Sequence, residues 1–242
     1  MPAQASSVLK DLKEGKYAPV YFLQGDEPYY IDEISDYIEK NALDESQKGF
    51  NQMVMYGRDH NMASVLTQAK RFPMMSERQV VIVKEAQNIS DLGNETGSKQ
   101  LLAYLDNPLA STVLVFAHKN KALDGRKALG KAMDKKALLV NSKKLYDNQV
   151  PDWVAKYCHD HGHAIGQRAV MLIAESVGND LSKVANEINK MLINLGKQEQ
   201  INEDHVQKYI GISKDYNVFE LQNAIGKRDI LKANKIINYF EQ

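Results

Sequence analysis

The sequence contains a single cysteine, Cys158, among 242 residues. One cysteine excludes an intrachain disulfide and any zinc site that needs two thiolates, so a reducing compartment is expected. No apolar run approaches the roughly 18 residues that a membrane-spanning helix requires. The N-terminal residues 1–14 contain no apolar signal-peptide core. These absences predict a soluble cytoplasmic protein without a membrane partner.

The sequence also lacks a net charge, because 31 basic side chains are balanced by 31 acidic ones. The balance is uneven, since residues 1–50 carry 5 basic and 10 acidic side chains, whereas residues 119–144 carry 9 and 2. A basic segment of this kind favours a solvated helix face, with contact to nucleic-acid phosphates as the alternative. An autonomous DNA-binding protein would use this segment. The candidate DNA-facing residues are Lys119, Lys121, Arg126, Lys127 and Lys131.

Strand and helix signals alternate over residues 1–142. Short apolar or β-branched runs predict strands at residues 19–23, 50–56, 79–83, 112–116 and 137–140. Helical spacing separates these runs and includes a basic helix in the 120s and 130s, whereas the polar residues 88–98 predict a loop. Five strands separated by helices predict an α/β domain whose parallel sheet is covered on both faces.

The pattern becomes helical after residue 141. Three apolar-periodic segments punctuated by glycines, followed by a shorter helix at 202–210, predict a small helical domain over residues 143–211. Residues 212–242 predict two further helices, and their apolar pattern continues to Tyr239 and Phe240 without a cap. We therefore expect this third domain to be only partly present.

A phosphate-binding loop is not evident, although a parallel α/β domain followed by a helical domain is the layout of nucleotide-dependent motors. Its place, between the first strand and its helix, holds residues 24–30, which include one glycine, no lysine and two carboxylates. Residues 125–131 match the G-x-x-x-x-G-K spacing, but Ala132 replaces the required hydroxyl residue. The sequence predicts no nucleotide cofactor and leaves a degenerate NTPase using residues 125–131 as an alternative.

One histidine cluster is the only metal-like arrangement in the sequence. His159, His161 and His163 alternate, but Gly162 indicates that a helix ends there, and the helix dipole favours histidine at that end. Cys158 shares its helix with Trp153, which is typical of a core thiol rather than a nucleophile. We therefore predict no metal and no catalytic residue.

Two adjacent methionines, Met74 and Met75, follow Pro73 in the irregular segment 70–78. One interpretation is a loop whose methionines pack back on the domain. The other is an apolar plug presented to a partner, because burying two such side chains contributes roughly 3–6 kcal/mol before association costs, and Met adapts well to apolar grooves.

Four stretches follow the order of a known family. They are residues 20–33, 72–83, 123–127 and 150–154. Together they resemble the delta subunits of the bacterial DNA polymerase III clamp loader. The resemblance implies an AAA+-like domain without a nucleotide site (1–142), a three-helix lid domain (143–211) and the start of a helical collar domain (212–242).

The resemblance also implies a function and partners. It implies a subunit that has no catalysis of its own and lies in the bacterial cytoplasm. The subunit is expected to be part of a holoenzyme that acts as a DNA-directed DNA polymerase, which is a nucleotidyltransferase. This subunit helps to open the sliding clamp so that the ring can be loaded onto primed DNA. The implied partners are the sliding clamp (beta subunit), loader subunits of the gamma/tau and delta prime types, and primer–template DNA through the assembled complex. The chain has no Ser-Arg-Cys tripeptide, with which the ATPase partners reach a neighbour's nucleotide site.

In this family the clamp is bound by two apolar residues just after the helix that precedes the third strand. By this resemblance the positions fall on Met74 and Met75, and Phe72 and Pro73 are expected to shape the plug rather than enter the clamp pocket. The family usually has Leu or Met followed by Phe, so Met75 departs from the pattern by lacking an aromatic ring.

Overall fold

The computed structural model describes residues 2–196, 200–211 and 216–240. Backbone contacts divide the chain into two units, Met1–Lys143 and Lys144–Gln242. The division of the second unit into residues 143–211 and 212–242 remains a prediction, and residues 212–215 lie outside the described residues.

The described residues of the first unit form a five-stranded sheet. Its strands are β1 (Val20–Gly25), β2 (Gln52–Tyr56), β3 (Gln79–Lys84), β4 (Thr112–Lys119) and β5 (Leu138–Ser142). All neighbours are parallel, in the order β2-β3-β4-β1-β5, so β2 lies at one edge. The parallel α/β fold predicted from the sequence is therefore confirmed.

Helices cover both faces of this sheet. They are α1 (Ala5–Lys13), α2 (Pro28–Asn41), α3 (Glu45–Asn51), α4 (Met62–Ala69), α5 (Glu95–Asp106) and α6 (Ala128–Lys136). Successive strand residues point to opposite faces, so Tyr21 and Leu23 pack with α1 and α2. Val20 and Phe22 pack with α4, α5 and α6 on the other face. Each face of the sheet therefore has its own apolar core.

Local signals define where two of these helices begin. Pro28 occupies the first turn of α2, and the Glu27 side chain accepts a hydrogen bond from the Tyr29 N–H at 3.0 Å. Asn61 caps α4 by accepting from the Ser64 N–H at 2.9 Å. The first N–H groups of a helix have no partner within it. Proline removes one of these groups, and a side-chain acceptor binds another.

Three sequence-based expectations differ from the structure, and two helices, α1 and α3, were not predicted at all. The second predicted strand is too long, because residues 50 and 51 belong to α3, and the loop predicted at 88–98 already contains the start of α5. The basic helix is shorter than predicted and begins at Ala128, so the basic residues before it lie on β4 or in a connecting segment. Helix α1 was not predicted; it buries Val8 and Leu12 against the sheet.

The described residues of the second unit are helical. The helices are α7 (Val150–Asp160), α8 (Gln167–Val177), α9 (Leu181–Ile193), α10 (Glu203–Ile210), α11 (Val218–Gly226) and α12 (Ile230–Phe240). Helices α7 to α10 pack on one another, and α11 packs on α12. Among the described helices, none has the length and hydropathy needed to cross a membrane.

Candidate functional site

The segment between α4 and β3 presents apolar side chains to water. The exposed fraction is 75% for Phe72, 55% for Met74 and 102% for Met75, whereas Pro73 is half-buried. Met75 has a φ of +52°, a left-handed conformation that is uncommon outside glycine and is found where the surrounding structure imposes it. The two methionines therefore point outward and do not pack back on the domain.

Asn51, the last residue of α3, holds this loop from one side. Its Nδ2 donates to the Met74 carbonyl oxygen at 2.9 Å, and its Oδ1 accepts from the Met74 N–H at 2.7 Å. The Asn51 side chain is buried. Both main-chain polar groups of Met74 are therefore bound by a single buried amide, which fixes the backbone at the first methionine.

Gln79, the first residue of β3, holds the loop from the other side. Its Nε2 lies 3.2 Å from the Gln68 carbonyl oxygen and 3.3 Å from that of Ala69, and it also contacts the Arg71 carbonyl. The same nitrogen donates to Thr112 Oγ1 at 2.8 Å. This buried amide partly satisfies the carbonyl groups left open at the end of α4, so the loop leaves the helix along a defined path.

The basic residues proposed to face DNA do not form one row. Lys119 Nζ lies 2.7 Å from Asp32 Oδ1 and 3.7 Å from Glu85 Oε1, so its charge is directed to carboxylates of the same unit. Arg126 Nε lies 3.0 Å from Asp124 Oδ1, and this hydrogen bond lowers the pKa of Asp124.

The other three candidate residues are exposed at different places. Lys121 lies in the segment after β4, where its carbonyl oxygen accepts from the Gly25 N–H at 3.1 Å. Lys127 is the N-cap residue of α6, and Lys131 lies within that helix. The structure therefore places the five basic residues on a strand end, a connecting segment and a helix.

The turn between β1 and α2, where a phosphate-binding loop would lie, is occupied by the buried carboxylate of Glu27 and by main-chain contacts. Glu27 is buried at the N-terminus of α2, where an anionic ligand would otherwise find free N–H groups. Its own N–H donates to the Ser142 carbonyl oxygen at 3.2 Å. The turn between β1 and α2 is therefore closed against the end of β5.

The G-x-x-x-x-G-K segment does not have the geometry of a phosphate loop either. Gly125 lies before α6 and Gly130 lies inside it, rather than in a turn between a strand and a helix. A Cβ atom on Gly130 would lie 2.4 Å from the Asp124 carbonyl oxygen. This glycine therefore allows α6 to pack closely on the preceding segment.

The histidine cluster and the cysteine lie at the end of α7 and in the residues just after it. No group of three or more candidate metal ligands occurs among the described residues. His161 Nδ1 lies 2.8 Å from the Tyr157 carbonyl oxygen at the end of α7. Cys158 is buried, and this burial raises the pKa of its thiol to about 12, which is unsuitable for a nucleophile.

The roles of Asn51 and Gln79 were not predicted from the sequence. Asn51 contacts Met74, 23 positions away in the sequence, and Gln79 contacts Thr112, 33 positions away. Gln79 directly precedes an apolar run and Asn51 lies two residues before one, but neither position identifies the partner of the side chain.

A family model and a curated relative both match this chain to a DNA polymerase III delta subunit. A family model described as DNA polymerase III, delta subunit, matches residues 21–143. The chain is 31% identical to DNA polymerase III subunit delta of Bacillus subtilis (strain 168), covering 94% of this chain and 70% of that protein.

Solved structures similar to this chain include a clamp loader delta protein. The Bacillus subtilis DNA clamp loader delta protein (YqeN) matches with a TM-score of 0.75 and 30% identity, covering 97% of this chain and 70% of that one. The Thermotoga maritima RuvB Holliday junction branch migration motor matches with a TM-score of 0.46 and 13% identity, over 91% of this chain and 73% of that one. This second likeness is too distant to carry an argument.

Proposed function

Because the chain belongs to the DNA polymerase III delta subunit family, we propose that it binds the sliding clamp through Met74 and Met75 and helps to open the ring. As a delta subunit of the clamp loader, it is a component of the DNA polymerase III holoenzyme. Its proposed partners are the clamp, loader subunits of the gamma/tau and delta prime types, and primer–template DNA within the assembled complex, in the bacterial cytoplasm.

The observation that carries this proposal is the outward position of the two methionines on a loop held by buried amides. Met75 is fully exposed and Met74 is half-exposed, while Asn51 binds both main-chain groups of Met74. Burying both side chains in a pocket contributes roughly 3–6 kcal/mol before association costs. Because the loop is already fixed, less conformational entropy is lost on binding.

The chain acts on the clamp by differential affinity and without catalysis of its own. A ligand shifts a conformational equilibrium only as far as it binds one state more tightly than the other. The loop must therefore fit the clamp conformation of the opened ring better than that of the closed ring. The closed turn at Glu27 supports the absence of a nucleotide site, so ATP hydrolysis falls to the partner subunits.

The test is binding of the full chain to a purified bacterial sliding clamp. We expect the double variant Met74→Ala/Met75→Ala to weaken binding at least about 100-fold, or about 2.7 kcal/mol, with an unchanged thermal unfolding midpoint. Ile193→Ala, at an exposed apolar position of the second unit, is the control and should bind like the wild type. Undiminished binding by the double variant would refute the site.

The alternative of an autonomous DNA-binding protein has one favourable observation. Lys121, Lys127 and Lys131 are exposed and form no ion pair within the described residues. If they contact phosphates, the DNA affinity of the isolated chain will fall steeply with salt. Absence of DNA binding at low salt would exclude this function. A degenerate NTPase has no supporting observation, because Gly130 lies inside α6.

A further inference from the structure

Within the first unit, the exposed large apolar side chains are concentrated in two short segments. Over residues 2–143, every exposed large hydrophobic side chain lies in one of two segments, 50–56 and 72–75. The second segment contains the proposed clamp-binding methionines. The first contains Phe50, Met53 and Tyr56, and Phe50 is 73% exposed. Apolar side chains grouped on a surface in this way indicate an interaction site.

The two segments are joined at one point. Asn51 binds the N–H and the carbonyl oxygen of Met74, with distances of 2.7 and 2.9 Å. Phe50 is the residue next to Asn51 in the chain, so this contact brings the backbone at Phe50 close to that at Met74. A groove of about 190 Å³ has Phe50, Met53 and Met74 in its lining.

The fold leaves this surface uncovered. β2 is the edge strand of the sheet, so within the described first unit no further strand packs beside residues 52–56. Phe50 lies in the last turn of α3, immediately before that edge. An aromatic ring at such a position, adjacent to a pair of exposed methionines, has the character of an interface anchor.

We propose that Phe50 is a further contact residue of the clamp-binding surface, and that Asn51 is the positioning residue that holds Phe50 and Met74 side by side. This inference rests on the proposed function. The occupant is the sliding clamp, because the surface of Phe50 is continuous with that of Met74 through the shared groove. The clamp contact is then formed by two chain segments rather than by a single loop.

The contact role is tested with Phe50→Ala in the full chain, measured against a purified bacterial sliding clamp. We expect affinity to fall about 10-fold, or about 1.4 kcal/mol, with an unchanged thermal midpoint. Tyr146→Ala is the matched control, because Tyr146 is an exposed aromatic residue of the second unit and lies outside both segments. This variant should bind within about 2-fold of the wild type.

The positioning role is tested with Asn51→Ala and Asn51→Asp. Asn51→Asp retains an acceptor for the Met74 N–H but places a buried carboxylate oxygen against the Met74 carbonyl oxygen, so its clamp affinity should fall at least as far as that of Asn51→Ala. A role limited to fold stability would lower the thermal midpoints of both variants and leave the affinity of the folded fraction unchanged. That result would overturn the positioning role.

The outcomes separate this inference from the proposed function. Wild-type affinity in Phe50→Ala, together with lost binding in Met74→Ala/Met75→Ala, would overturn the inference and leave the proposed function standing. Undiminished binding in the methionine variant would overturn the proposed function itself. The last test compares the sedimentation of the wild type and Phe50→Ala. A change in self-association without a change in clamp affinity would indicate that the surface binds a second copy of the chain, and would overturn the inference.

Discussion

The carbonyl oxygen of Ser142 lies 1.9 Å from the position that a Cβ atom on Gly25 would occupy. Gly25 is the last residue of β1, and its φ of +132° is a backbone conformation that other residues rarely adopt. Its N–H also donates to the Lys121 carbonyl oxygen at 3.1 Å. The glycine is therefore required for the turn after β1 to close against the end of β5.

Replacing Gly25 with alanine should destabilise the protein by roughly 2–5 kcal/mol, because the methyl group meets main chain and the backbone conformation is strained. Urea unfolding followed by circular dichroism measures this change. Gly93→Ala is the control, since a Cβ atom there would meet nothing within 4 Å, and it should shift stability by no more than about 0.5 kcal/mol. Equal stability of the two variants would contradict the close packing at Ser142.

Cys158 should resist thiol reagents in the folded protein. Burial raises the pKa of its thiol to about 12, so only about one molecule in 10⁴ carries a thiolate at pH 8. We expect an aromatic disulfide reagent to modify the native chain only at the rate of unfolding, and to react fully in urea. Stoichiometric labelling of the native protein within seconds would contradict the buried position.

His118 should make stability depend on pH. Burial lowers the pKa of its side chain in the folded protein below the ordinary value, 6.5, and its Nδ1 lies 3.0 Å from the Lys121 carbonyl oxygen. The unfolded chain therefore binds the proton more readily below about pH 6.5, and the free energy of unfolding falls as the pH is lowered through this range. Well above pH 6.5 both states are neutral at this residue, so its contribution is constant.

The variant His118→Gln measures this contribution. Urea unfolding at several values between pH 5 and pH 8 should give a shallower dependence of the unfolding free energy on pH than in the wild type. An identical slope would show that His118 does not contribute to the pH dependence.

The central strands of the sheet were predictable because their signals are local. The β-branched run that became β3 and the apolar run that became β4 need no knowledge of distant residues to be identified as buried strands. The start of α2 at Pro28 follows equally from chemistry within a few residues. The boundary of β2 was not predictable in this way, since the side chain of Asn51 is satisfied by Met74, a residue distant in the sequence.

The position of the apolar loop was predictable from the sequence, but the segment that lies beside it was not. Two methionines after a proline indicate an apolar loop, but composition does not reveal which neighbouring segment lies beside it. The same limit applies to Lys119, because a count of basic residues does not disclose that its ammonium group lies 2.7 Å from Asp32. Charge summed along a segment therefore overstates the charge available to a partner.

The strand order has a consequence for the order of events during synthesis. β1 pairs only with β4 and β5, so its first neighbour begins at Thr112, whereas β2 and β3 are complete by Lys84. At roughly 5–20 residues per second, about 4 to 17 seconds separate the emergence of Gly25 from that of Thr112. All six residues of β1 are buried in the finished sheet. The nascent chain must therefore keep its first apolar strand from aggregating until more than half of the first unit has left the ribosome.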